Sequence, residues 1–150
     1  MNRIANCVFC QICEGTAPSN TIFKNENFIV FACRTQATKH HYLVCPIQHI
    51  NDAKSLVPGQ ETLVEEMYKI AKQIVIDKGE NLNEARFGFH WPPFHSISHL
   101  HLHILAPVDG LRFFHRLIYK PNSMWFVSPE YVITWLKTHR AIGNEETSSN

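Results

Sequence analysis

The sequence predicts an α+β fold: a largely antiparallel sheet of about five strands, one main helix packed on it, and a second helix near the C-terminus. Three observations carry that expectation. Short apolar runs bounded by proline, glycine or polar residues recur at 27–32, 41–45, 86–89 and 98–105. A single long stretch, 60–78, repeats its apolar residues at helical spacing. The third is His99-Leu100-His101-Leu102-His103. On a strand, this alternation turns three imidazoles to one face and the aliphatic residues to the other. On a helix the same rings would fan out by about 100° per residue and form no cluster. Packing alone does not require a face of imidazoles.

Taken in order, residues 1–20 carry Cys7-Val8-Phe9-Cys10 and then a polar turn. Phe28, Ile29, Val30 and Phe31 make the first clear strand, and 35–39 is a polar connection. The strand 41–45 stops at Pro46, which has no N–H for the ladder. Pro58-Gly59 opens the main helix, whose buried stripe is Leu63, Val64, Met67, Ile70, Ala71, Ile74 and Val75, with Gly79 suited to its C′ position. After the strand 86–89, Trp91-Pro92-Pro93-Phe94-His95 cannot pair regularly and reads as a loop. The histidine strand follows and ends before Pro107. Residues 111–119 mix aromatic and basic side chains and read as a strand or loop at a subunit contact. Ser128 as N-cap and Pro129 at N1 start the last helix, expected to reach about residue 138. That leaves residues 1–140 as one domain and 141–150 as a flexible polar tail.

Composition narrows the function. A chain of 150 residues that is 45% hydrophobic can bury one real core. A net charge of +1 without a basic run argues against a nucleic-acid surface that works by charge alone. No apolar run of membrane-spanning length and no basic-apolar leader is evident, so a soluble protein of the cytoplasm or nucleus is expected. The five cysteines, an odd number, do not suggest a disulfide framework. Cys7-x-x-Cys10 has metal-ligand spacing but does not sit between a strand and a helix, which disfavours a thioredoxin-like role. Cys13, Cys33 and Cys45 are expected to be unligated, with Cys45 in the core.

Imidazole serves as metal ligand, proton carrier or nucleophile, and the alternating spacing allows all three. From the residues alone, a metal site or a row of half-exposed histidines on an edge strand also stays open. His41 and His49 could join the cluster if their strand neighbours that of the three histidines, and Ser96 and Ser98 could donate to an anion. Trp91, Phe94 and His95 would wall a leaving-group pocket. Phe9, Ile12, Ile22, Phe28 and Val30 could line an apolar slot for a base. His115 and His139 read as surface residues.

His99-Leu100-His101-Leu102-His103-Ile104-Leu105 resembles the signature of the histidine triad superfamily, in which three histidines alternate with apolar residues. The likeness extends over Cys7-Val8-Phe9-Cys10, His40-His41-Tyr42-Leu43-Val44, Pro46 with His49, Gly88-Phe89-His90-x-Pro92-Pro93-Phe94, Ser96-Ile97-Ser98, Ala106-Pro107-Val108-Asp109 and Trp125-Phe126. These segments resemble the histidine triad nucleotide-binding protein 3 branch, and the stretch around the triad is also similar to the aprataxin catalytic domain. The resemblance implies a histidine-triad fold and a hydrolase that cleaves the P–N or acyl-phosphate bond of adenosine 5′-phosphoramidate-type substrates and releases adenosine monophosphate. It implies that His101 attacks phosphorus and carries the nucleotide covalently. His99, His103 and His41 would surround the phosphate and pass a proton to the leaving amine, while Ser96, Ser98, His90, Phe28 and Cys33 would contact the nucleotide. It further implies a homodimer, no cofactor required for catalysis, and a structural zinc on Cys7, Cys10, His49 and His99. The chain departs from the family at Cys33, where an aspartate usually bonds the ribose hydroxyls; a thiol is a weaker acceptor. Two other readings compete: removal of a 5′-adenylate from nucleic-acid ends, as in aprataxin, and a non-catalytic nucleotide-binding module.

Overall fold

The structure, a computed structural model, describes residues 3–148. Six strands form one sheet: β1 (Thr21–Lys24), β2 (Phe28–Ala32), β3 (His40–Pro46), β4 (Arg86–His90), β5 (Leu102–Ala106) and β6 (Phe126–Val127). Their spatial order is β1-β2-β3-β5-β4-β6, and every neighbouring pair is antiparallel. Four helices accompany them: α1 (Val8–Glu14), α2 (Glu61–Asp77), α3 (Phe113–Ile118) and α4 (Pro129–Ser148). No described helix is long and apolar enough to cross a membrane.

Register divides the sheet into two unlike faces. Residues directly opposite on paired strands share a face. Val30 pairs with Val44, and Tyr42 with Ile104. Phe28, Val30, Val44, Leu102 and Ile104 then pack beneath Val64, Met67 and Ala71 of α2 and Val132 and Leu136 of α4. On the other face His41 lies opposite Leu105, and Leu43 opposite His103. There α1 brings Phe9 and Cys13 onto Ile29, Phe31, Leu43 and Cys45, and a further cluster joins Leu105, Leu111, Tyr119 and Phe126. Leu102 and Ile104 thus face α2 and α4, while His41 and His103 share the opposite face with Leu43 and Leu105.

Several expectations need correction. The sheet has six strands: β1 is a short, largely exposed edge strand and β6 has two residues, so neither shows an apolar alternation. The histidine strand begins at Leu102, not near residue 98. Leu100 instead donates its N–H to the Ile50 carbonyl at 2.7 Å, outside the ladder, although its side chain is in the core as expected. The cysteine segment is a helix whose N-cap is Cys7, with the thiol accepting from the Cys10 N–H at 3.4 Å. Gly15 closes it with a positive φ of 81°. Residues 113–118 are helical, not a strand or loop. Ser128 does cap α4 by accepting from the Tyr131 N–H at 3.1 Å, but α4 runs to Ser148, well past residue 138. The polar tail expected over 141–150 is therefore helical in its backbone as far as Ser148, and residues 149–150 lie outside the described residues.

Gly88 is opposite His103, and a Cβ there would overlap the ring of Phe126. That ring is itself buried, so it cannot swing aside freely. Gly88→Ala is expected to cost about 1–3 kcal/mol in urea unfolding, the usual penalty for overpacking, and to lower any activity that depends on the neighbouring His90 and His103.

Candidate active site

Five histidines converge on the face left open by α2 and α4. β3 supplies His41, β4 supplies His90, β5 supplies His103, and the segment leading into β5 supplies His99 and His101. The rings of His101 and His103 are 5.0 Å apart, those of His41 and His103 5.3 Å, and those of His90 and His103 4.9 Å.

Backbone groups decide which ring nitrogens carry protons. The Ala37 N–H donates to His41 Nδ1 at 3.1 Å, so Nδ1 is an acceptor and the His41 proton sits on Nε2. That Nε2–H donates to His103 Nδ1 at 3.0 Å, which places the His103 proton on its Nε2. His103 Nε2 is buried with no hydrogen-bond partner. A buried donor without a partner is costly, and an acceptor oxygen on a bound group would satisfy it. His101 donates from Nδ1 to the His99 carbonyl at 2.6 Å, leaving its Nε2 with a lone pair.

Burial keeps these rings neutral. It pushes His41 and His101 down to about 4, and His103 further below the usual histidine range. His90 is also lowered by burial. It donates from Nε2 to the Ile118 carbonyl at 3.1 Å. Neutral imidazoles suit a nucleophile and a hydrogen-bond donor; they do not supply protons readily.

His99 departs from the expected grouping. Its Nε2 donates to the Pro46 carbonyl at 2.8 Å, and its Nδ1 lies 3.4 Å from the Cys7 sulfur and 3.6 Å from that of Cys10. His49 is arranged alike: Nε2 is held by Asn51 Oδ1 at 2.9 Å, and Nδ1 is 3.4 Å from the Cys10 sulfur. The four ligand atoms of Cys7, Cys10, His49 and His99 all lie within 4.8 Å of one another. This group could hold a metal ion. Both histidines present a bare Nδ1 because an oxygen has fixed the proton on the far nitrogen, the arrangement that orients imidazole ligands. His99 thus turns one nitrogen to the Pro46 carbonyl and the other to the two cysteine sulfurs, a grouping different from the phosphate contact the resemblance implied.

Other expected residues fall in different places. Phe28 lies in the core on the helix-covered face, with the sheet between it and the histidines. It does not line a nucleotide site, and Ile22 and Val30 share its face. Phe9 and Ile12 are on the correct face, and Phe9 meets His101 edge-on at 5.2 Å. Cys33 continues β2 beside His41, with its N–H on the His41 carbonyl at 2.9 Å. Burial raises its thiol, which stays protonated at neutral pH. Ser96 and Ser98 are exposed on the loop that leads to His99. His115 is half-buried, not a plain surface residue. Tyr119 escaped the motif reading. It follows α3, packs edge-on against His103 at 5.1 Å and His41 at 5.3 Å, and is anchored by Arg86 Nη1 on its carbonyl at 2.9 Å. Only its position after a helix that was not foreseen brings it there.

Comparison with known proteins agrees with this geometry. Residues 6–117 match the family described as scavenger mRNA decapping enzyme C-terminal binding. The chain is 38% identical to adenosine 5′-monophosphoramidase HINT3 of Mus musculus, over 91% of this chain and 84% of that one. It is 36% identical to the protein of the same name in Xenopus tropicalis, over 88% of each. Among solved structures, a HIT family hydrolase from Clostridium thermocellum superposes with a TM-score of 0.67 at 26% identity, covering 74% of this chain and 99% of that one. The chain belongs to the histidine triad superfamily.

The buried neutral histidines carry a pH consequence. The folded-state value of His41, about 4, lies below that of an unfolded histidine, about 6.5. Above about 6.5 neither state takes up the proton and stability is full; as pH falls toward 4, the unfolded chain binds it first. His41 alone then removes on the order of 3 kcal/mol across that window. Urea unfolding is expected to show stability falling steeply from pH 6.5 to 4, and His41→Gln is expected to show a shallower fall.

Proposed function

We propose that this chain hydrolyses the P–N bond of adenosine 5′-phosphoramidate-type substrates and releases adenosine monophosphate through a nucleotidyl-His101 intermediate. The observation that carries this reading is the tautomer of His101. Its Nδ1–H is tied to the His99 carbonyl at 2.6 Å, which leaves a lone pair on Nε2, and its ring lies 5.0 Å from that of His103, whose buried Nε2–H has no partner. A nucleophile and an oxyanion donor set by rigid backbone are what in-line attack on a phosphorus needs. The name shared by the mouse and frog relatives supports the substrate class.

In this reading the His101 Nε2 lone pair forms a bond to phosphorus. His103 Nε2–H donates to a phosphate oxygen and stabilises the charge that builds there. His41 holds His103 in the donating tautomer, and Ala37 holds His41. Phe9, which meets His101 edge-on at 5.2 Å, is the apolar side chain placed to border a base on the same face. The neutral Cys33 thiol is a weak acceptor, so sugar recognition rests on other groups.

Structural zinc is part of the same proposal. Tetrahedral zinc with Zn–S of about 2.3 Å and Zn–N of about 2.0 Å separates sulfur from nitrogen by roughly 3.5 Å. The sulfur–nitrogen distances of 3.4, 3.4 and 3.6 Å fit that geometry. Four protein ligands would close the site and leave no open position, so zinc would pin α1 to the sheet and take no part in the reaction. A homodimer is also proposed, supported by the exposed Phe113 and Phe114 of α3.

Two outcomes are expected. With a fluorogenic adenosine phosphoramidate, the wild type should release adenosine monophosphate and show an adenylyl adduct on His101 by mass spectrometry. His101→Ala should lose at least about 1,000-fold in rate, while His101→Asn should keep nucleotide binding; retained turnover in His101→Ala would overturn the mechanism. Elemental analysis should find one zinc per chain, and Cys7→Ser/Cys10→Ser should lose the metal and melt at a lower temperature.

A further inference from the structure

The chain of tautomers leaves one chemical need unmet. When a P–N bond breaks, the departing amine must take up a proton, and amine anions are very poor leaving groups. The histidines around the phosphate are poorly placed to give it. His41 spends its proton on His103, His101 on the His99 carbonyl, and His90 on the Ile118 carbonyl. His103 has a free N–H, but as a neutral imidazole it is a donor and not an acid. Burial supports this for His41, which is held down to about 4.

His95 differs from all of these. It ends the proline-rich loop and borders a narrow cavity of about 10 Å³, room for roughly one water. His101, His90, Asn51 and Asp52 border the same cavity. His95 Nε2 faces Asp52 Oδ2 at 4.0 Å and Ser98 Oγ at 3.5 Å. Asp52 is itself fixed, because its Oδ1 caps a short turn by accepting from the Ser55 N–H at 2.8 Å and the Ser55 hydroxyl at 2.9 Å. The other ring nitrogen, His95 Nδ1, is buried with no partner. A carboxylate at ion-pair distance from one nitrogen and an uncommitted second nitrogen suit a ring that carries a proton.

We infer that His95, oriented by Asp52, is the catalytic residue that protonates the leaving nitrogen, since it shares a cavity with His101 and keeps Nδ1 free. The inference rests on the hydrolase reading above. In the first step His101 Nε2 bonds to phosphorus, the P–N bond breaks, and its electron pair stays on the amine nitrogen. That nitrogen takes the Nδ1 proton of the His95 imidazolium and departs as a neutral amine. In the second step a water oxygen bonds to phosphorus, and the phosphorus–His101 bond returns its electrons to Nε2. The proton released by the water goes to His95 Nδ1, which restores the imidazolium.

Leaving groups that differ in their need for a proton test this directly. The rate of forming adenylyl-His101 would be followed in single turnover with two substrates: an alkylamine phosphoramidate and the p-nitrophenyl ester of adenosine monophosphate, whose phenolate departs unaided. His95→Gln should slow the amine substrate by about 100-fold or more and the ester by only a few-fold. Asp52→Asn should show the same selectivity to a smaller degree. Equal losses on both substrates, or none on either, would overturn the role of His95. Failure of the wild type to form the adduct from either substrate would instead overturn the hydrolase reading itself.

Discussion

A single relay of backbone-anchored hydrogen bonds organises this site: Ala37 N–H to His41, His41 to His103. One fixed amide at the start sets both imidazole tautomers and leaves the last N–H without a protein partner. The cost of that unpaired donor is met by the fold. β3 and β5 are adjacent and antiparallel, so His41 and His103 lie near one another on one face, while Tyr42 and Ile104 anchor the other face to α2. Gly88 clears the space in which Phe126 presses against His103, and Tyr119 closes the side next to His41. Rigid packing stands in for the water that would otherwise solvate the relay, and a bound phosphate oxygen would complete it.

The three alternating histidines divide into different jobs because they stand at different distances along the strand. His103 is inside β5 and belongs to the relay. His101, just before the strand, turns its Nδ1 to the nearby His99 carbonyl and keeps Nε2 free. His99 lies further out, where α1 and the segment after β3 bring Cys7, Cys10 and His49 to it. The cysteine cluster and His101 are thus mechanically linked: the carbonyl that orients His101 belongs to a residue whose side chain is locked among thiols and the Pro46 carbonyl. Losing that lock would loosen the orientation of the His101 ring.

Much of this was legible in the chain because the signals were periodic. Alternation placed Leu100, Leu102 and Ile104 in the core, and the 3.6-residue stripe of α2 from Val64 to Val75 packs as expected. Ser128 and Gly79 fulfil their capping positions. Elements shorter than two turns or three residues carry no period, which is why α1, α3 and β6 were not anticipated as they are. Phe28 shows a related limit. An apolar residue on a fully buried strand looks the same whichever face it occupies, and only register against β3 puts it among the helices and away from the histidines. Side-chain pairs from distant loops, such as Asp52 with His95, have no sequence spacing to betray them.

The tautomers are open to direct observation. Histidine labelled with nitrogen-15, read by long-range proton–nitrogen correlation at neutral pH, distinguishes Nδ1–H, Nε2–H and imidazolium for each ring. His101 should appear as Nδ1–H, and His41 and His103 as Nε2–H, with all three neutral. A His101 ring protonated on Nε2, or as an imidazolium, would have no lone pair to attack with. That result would contradict the arrangement on which the proposed chemistry depends.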